Sequence, residues 1–202
     1  MFCGALILWA GLALAQTPAP PSTLVFLGDS LTEGYGLSPE EAYPSKLELA
    51  LKERGHSVRA VNAGISGATS ASGPSRISWL LRSKPTVLVL ALGANDALRG
   101  LKPEETRKNL AHVIREAQKQ NVKILLAGMK APPNYGKEYS RKFEDIYASL
   151  AKEFRGPLVP FILEGVGGEK DLNLPDGIHP NAKGQEKVAS NLLPALEVLL
   201  KK

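Results

Sequence analysis

Ser30 stands in the segment GDSLTEGYG, Gly28 to Gly36, directly after the apolar run Leu24-Val25-Phe26-Leu27. Near the other end of the chain, Asp176 and His179 stand three apart in DGIHPN, with Gly177 between them, just before the last helical stretch. A turn there can aim a carboxylate at the imidazole Nδ1–H while Nε2 faces outward. Those are the orienter and the base that a serine nucleophile needs, in the chain order Ser, Asp, His. Each segment taken alone also has a plainer reading. Gly28-Asp29-Ser30 can be an ordinary strand-to-loop turn, and Asp176 to Pro180 can be a turn that starts the last helix with His179 in solvent. Asp29 is expected to shape its loop through backbone hydrogen bonds, and Asp96 to be a supporting or turn residue.

Other chemistries find less in the chain. No serine has glycine at both −2 and +2, so the G-x-S-x-G elbow is absent. There is no H-E-x-x-H pair for zinc, and His56 and His112 lie far from any carboxylate–histidine cluster, in surface or packing positions. Neither G-x-x-x-x-G-K-[ST] nor G-x-G-x-x-G is present to hold a phosphate. The expectation is an active site without metal or cofactor.

The elements that must position these residues alternate. Strand-like runs at Thr23–Leu27, Val58–Val61, Thr86–Leu92, Lys123–Ala127 and Leu158–Phe161 are separated by helical stretches. The helices are expected near Glu40–Arg54, Gly73–Arg82, Pro103–Gln120, Ser140–Phe154 and Ala182–Leu200, with Pro103 in a first turn where its missing N–H costs nothing. TVLVLAL is apolar on both faces, as in a parallel strand covered on both sides. The pattern predicts an α/β fold, a three-layer α/β/α sandwich around a five-stranded parallel sheet. Ser30, NAGISGATSASG (Asn62 to Gly73) and GANDALRG (Gly93 to Gly100) then follow successive strands, at the edge where open α/β sheets bind ligands.

The chain of 202 residues suits one domain. Residues 1–15 have no charged side chain, an apolar stretch from Ala5 to Leu14 and an Ala13-Leu14-Ala15 site, and so read as a secretory signal peptide cleaved after Ala15. Residues 16–22 form a Pro-rich linker, and 23–202 the domain. Cys3, the only cysteine, falls in the leader, so the mature chain has no thiolate nucleophile and no disulfide. The expected location is periplasmic or secreted. The formal charge of +5 comes from lysines and arginines interleaved with acids, and only 6% of residues are aromatic. That pattern describes solvated helix faces and argues against a nucleic-acid partner. Weak attraction to lipid headgroups remains compatible with it.

Four blocks, Ser30 in GDSLTEGYG, Gly67 in NAGISGATS, Asn95 in GAND and His179 in DGIHP, resemble those of the SGNH hydrolases, also called GDSL esterases. The resemblance runs from about Val25 to the last helix. LGANDALRGLKP, PPNYGKEYS and LAKEF narrow it to a bacterial periplasmic branch with thioesterase, protease, lysophospholipase and arylesterase activities. It implies a flavodoxin-like fold, Ser30 as nucleophile, His179 as base and then acid, and Asp176 as orienter. It further implies an oxyanion hole from the backbone N–H groups of Ser30 and Gly67 and the side-chain amide of Asn95. Glycine at 67 would let the oxyanion approach without a Cβ in the way. The substrate would be a small-molecule acyl ester or thioester, in a groove lined by Leu31, Tyr35, Leu37, Ile65, Leu98, Leu101, Pro132, Pro133 and Tyr135. A monomer making transient contact with lipid aggregates is expected. The rivals are a carbohydrate O-deacetylase of the same fold, a non-catalytic lipid- or peptidoglycan-binding module, and a flavodoxin-like nucleotide-binding protein. A sugar site calls for more stacking aromatics, and the mature chain keeps just one tryptophan, Trp79, expected to be buried in a helix.

Overall fold

The computed structural model describes residues 20–201; the expected leader 1–15 and most of the expected 16–22 linker lie outside the described residues, and Ser22 already belongs to the first strand because its N–H pairs with the Ser57 carbonyl. Five parallel strands run β1 (Ser22–Gly28), β2 (Val58–Gly64), β3 (Val87–Ala91), β4 (Lys123–Ala127) and β5 (Leu158–Val159). Their order in the sheet is β2-β1-β3-β4-β5. Leu24 to Leu27 and Val87 to Leu90 are wholly buried, because helices cover both faces of the central strands. One layer holds α2 (Tyr43–Glu53) and α7 (Ala182–Leu200); the other holds α3 (Gly73–Leu81), α5 (Pro103–Lys119) and α6 (Lys137–Phe154).

The expected sandwich is therefore present, with differences at element ends. β2 runs three residues past Val61, because Asn62 to Gly64 still pair with Phe26 to Gly28 of β1. β5 stops at Val159, since Pro160 has no N–H to continue a ladder. α2 starts at Tyr43 with Pro44 in its first turn, and α6 starts at Lys137 straight after Gly136. Pro103 does open α5. Trp79 departs from expectation: it is 65% exposed, on the outer side of α3, whose Ile77, Leu80 and Leu81 take the core side.

Two short helices sit where only loops were expected, α1 (Ser30–Glu33) after β1 and α4 (Ala94–Leu98) after β3. The chain leaves β1 toward β2 on one side and returns to β3 on the other, so the strand order reverses between β1 and β3. A crevice opens at such a reversal, at the carboxyl ends of the strands. Both short helices stand at it.

Candidate active site

Asp29 creates the turn after β1. Its Oδ1 accepts a hydrogen bond from the Leu31 N–H (3.1 Å) and caps α1, which makes Ser30 the first helical residue. Asp29 is 1% exposed and its Oδ2 has no hydrogen-bond partner. Burial first, with the Asp96 carboxylate adding to it, pushes the Asp29 carboxyl up to about 7. The loop-shaping part expected of Asp29 is thus what the structure displays.

His179 reaches Ser30 from 149 residues away in sequence, its Nε2 lying 3.0 Å from Ser30 Oγ. Its Nδ1 lies 2.7 Å from Asp176 Oδ2. Asp176 Oδ1 also accepts from the backbone N–H groups of Ile178 (2.9 Å) and His179 (3.0 Å). The His179 backbone bond, the His179 ring and the Ile178 bond hold the Asp176 carboxyl down to about 2. It is ionised throughout the neutral range and favours the tautomer with the proton on Nδ1, leaving Nε2 free to accept from the serine. The ring of Tyr35 lies against the His179 ring at 4.4 Å between centroids.

The DGIHPN segment is a folded-back turn rather than a free loop. Asn173 and Pro180 form an antiparallel bridge, and the Leu174 N–H donates to the His179 carbonyl at 2.7 Å. Asn181 then caps α7 by accepting from the N–H groups of Lys183 and Gly184. Sequence reasoning missed Gln185, one turn further on. Its buried side chain accepts from the Tyr43 N–H (2.9 Å) and donates to the Leu31 carbonyl (3.2 Å), tying the histidine-bearing segment to the serine-bearing one. The available signal was a glutamine in line with Val188 and Leu192 on an otherwise apolar helix face.

The loop after β2 brings Gly67 to the same crevice with φ +76°, a conformation that favours glycine. A Cβ there would meet only an Arg99 nitrogen at 3.7 Å, so backbone conformation, more than crowding by protein, selects the residue. Asn95, on α4, donates one side-chain N–H to the Ala68 carbonyl at 3.1 Å, which orients the amide and leaves its second N–H for a ligand. Asp96 faces the other way. It is buried and accepts from the Ser70 N–H (2.8 Å), Ser70 Oγ (2.5 Å) and Thr106 Oγ1 (2.9 Å), so it braces the loop as a supporting residue.

A cleft of about 720 Å³ runs from Ser30 and His179 across to the ends of β4 and β5. Leu31, Tyr35, Leu98, Pro132 and Pro133 line it as expected, whereas Leu37, Ile65, Leu101 and Tyr135 do not. Tyr135 instead packs its ring against Gly100 and donates from its hydroxyl to the Leu98 carbonyl at 2.9 Å, holding the cleft wall from behind. Met129, Phe161, Leu163 and Ile178 form apolar wall that the sequence had not singled out. Lys130 also lines the cleft, its ammonium 4.8 Å from the centre of the Phe161 ring.

A doubly wound sheet with a serine, a histidine and a carboxylate in hydrogen-bond sequence at its switch point defines a hydrolase of the serine type. The chain belongs to the GDSL-like Lipase/Acylhydrolase family, whose model matches residues 26–187. It is 40% identical over 199 residues to esterase TesA of Pseudomonas aeruginosa, covering 98% of this chain and 96% of that one. It is 38% identical over 183 residues to thioesterase 1/protease 1/lysophospholipase L1 of Escherichia coli strain K12, covering 90% and 86%. The crystal structure of AlinE4, an SGNH-hydrolase family esterase, superposes with a TM-score of 0.76 at 43% identity, covering 92% of this chain and all of that one.

Proposed function

We propose that this protein is a serine esterase that hydrolyses carboxylic esters and thioesters with apolar acyl chains through an acyl-Ser30 intermediate. His179 Nε2 takes the Ser30 proton as Oγ attacks the carbonyl carbon, and the developing oxyanion is held by the N–H groups of Ser30 and Gly67 and the Asn95 amide. Collapse expels the alcohol or thiol, which leaves with the proton from His179. A water then repeats the cycle on the acyl-enzyme. Asp176 stabilises the imidazolium that forms in each half.

The observation that carries this reading is the continuous relay, 2.7 Å from Asp176 to His179 and 3.0 Å from His179 to Ser30, opening into a largely apolar cleft. The names of the relatives, esterase, thioesterase and lysophospholipase, point the same way. Trp79 does not line the cleft, so it offers no stacking surface for a sugar ester there. Exposed Tyr35, Leu98 and Ile178 line the cleft and favour brief contact of a monomer with lipid aggregates. The uncharged, apolar sequence of residues 1–15, read as a secretory leader, favours a location outside the cytoplasm, and among the described residues no helix is long and apolar enough to cross a membrane.

The test is hydrolysis of p-nitrophenyl esters from acetate to palmitate, with a long-chain acyl-CoA alongside, by wild type and Ser30→Ala. We expect turnover favouring medium or longer chains, falling by about 10⁴-fold or more in the variant. Strict preference for acetate, or equal rates in the two proteins, would overturn the proposal.

A further inference from the structure

The oxyanion donors assigned above lie on different elements, Ser30 after β1 and Gly67 after β2. They can converge on one oxygen only if the distance between those elements is held, and a misplacement of about 1 Å can cost about 10²-fold in rate. On the β3 side the Gly67-bearing loop is held by Asn95 on the Ala68 carbonyl, by Arg99 on the Gly67 carbonyl (3.1 Å) and by Asp96 on Ser70. On the Ser30 side it is held by Glu33.

Glu33 is the last residue of α1, three after Ser30. Its Oε2 accepts from the Ser66 N–H at 2.7 Å and also takes the Ser66 hydroxyl. Ser66 directly precedes Gly67, so this carboxylate, through the Ser66 N–H and hydroxyl, holds the residue from which the peptide unit carrying the Gly67 N–H starts. The approach is close by construction. A Cβ on Gly64 would come within 2.2 Å of the Glu33 backbone nitrogen, and Asn62 Nδ2 donates to the Thr32 carbonyl at 2.8 Å. α1 and the end of β2 therefore form one unit, with Glu33 as its reach into the oxyanion loop.

We propose that Glu33 is a positioning residue that sets the Gly67 N–H relative to the Ser30 N–H for oxyanion binding; this rests on the esterase reading above. Glu33 is solvent-exposed, so its repulsion of a developing oxyanion is screened and the positional effect dominates.

The experiment measures kcat and KM on a p-nitrophenyl ester, the Ki of an alkyl boronic acid that binds as a tetrahedral adduct, and Tm. The proteins are wild type, Glu33→Ala, Glu33→Gln, Ser66→Ala and the Glu33→Ala/Ser66→Ala double variant. Glu33→Ala is expected to lower kcat about 10-fold, below the ~10²–10³ of losing a donor outright, with KM within about 2-fold. The boronate Ki should weaken in step with kcat. Glu33→Gln, which keeps an acceptor for the Ser66 N–H, is expected to stay within about 3-fold of wild type. The double variant should be no worse than Glu33→Ala alone, because both changes break one contact. An unchanged or raised kcat in Glu33→Ala, a KM effect alone, a kcat loss without weaker boronate binding, or multiplying single effects would overturn the proposal. Should Glu33→Ala fail to fold, Ser66→Ala, which removes the hydroxyl half of the contact, decides: it is expected to lower kcat and weaken the boronate Ki together, and wild-type values in it overturn the proposal. Ser30→Ala run in parallel separates the two readings. If it is inactive while Glu33→Ala is normal, only the positioning role fails; if it keeps wild-type turnover, the esterase reading fails.

Discussion

Asp29 makes the protein less stable as pH rises from about 4 to about 7, and Asp29→Asn should remove that dependence. In the folded protein burial lifts the carboxyl from 3.8 to about 7, while in the unfolded chain it titrates at its ordinary value. Between about pH 4 and pH 7 the folded state therefore holds a proton that the unfolded state has released, and unfolding free energy falls with pH. At 1.36 kcal/mol per pH unit, the rise from 3.8 to about 7 corresponds to about 4 kcal/mol lost across that window. The Asp29→Asn variant keeps an acceptor for the Leu31 N–H, so the cap on α1 survives. Its amide nitrogen takes the place of the unpartnered Oδ2, at a cost of about 1–3 kcal/mol that does not vary with pH. Urea unfolding of wild type and Asp29→Asn, at unit intervals from pH 4 to pH 8, separates the two effects. The constant cost displaces the variant's curve; the titration changes its slope. Asp176, held down to about 2 from 3.8, adds an opposite slope only near pH 4, where the unfolded chain still binds part of a proton there, and it does so equally in both proteins. Curves that run parallel from pH 4 to pH 7 would refute the assignment of a raised pKa to Asp29.

Asp96→Ala should destabilise the protein by about 3 kcal/mol or more, since it leaves the buried Ser70 N–H and two hydroxyls without their acceptor; urea unfolding at fixed pH measures it, and a loss under about 1 kcal/mol would contradict the network. Leu98→Ala and Phe161→Ala should shift the p-nitrophenyl ester profile along the chain-length series, because both residues line the cleft. Leu101→Ala, outside the lining, should leave the profile unchanged, and a shift there equal to that of Leu98→Ala would contradict the cleft boundary.

Much of this was legible from residue types in order. Short apolar, β-rich runs and segments of period 3.6 separated the strands from the helices, and strands apolar on both faces, such as Val87 to Leu90, fit the centre of a covered parallel sheet. The strand pattern placed Ser30, Gly67 and Asn95 on segments at one sheet edge, because parallel strands in a doubly wound fold present the same end to the crevice, while His179 was legible only as part of a turn before the last helix. Asp29 and Asp96 were legible as turn or support residues from their type and position alone. α1 and α4 were not, since four or five residues are too few to carry a helical period.

What only the tertiary structure decided was pairing over long separations. Nothing in GDSLTEGYG says that Glu33 turns toward Ser66, or that Gln185 will join Leu31 to Tyr43. Each bond depends on which strand lies beside which, and on a Gly64 small enough to let α1 sit against β2. Tyr135 shows the same limit, for its loop was placed at the cleft edge while its ring faces Gly100 from behind. Trp79 shows it too: a large apolar residue on a helix faces solvent because Ile77, Leu80 and Leu81 already fill the inward stripe. The linear pattern determined which residues could do chemistry and at which edge they would meet. The packing of α1 against β2 and of α7 against α1 and α2 decided their distances, because a side chain's partner is set by neighbours in space rather than along the chain.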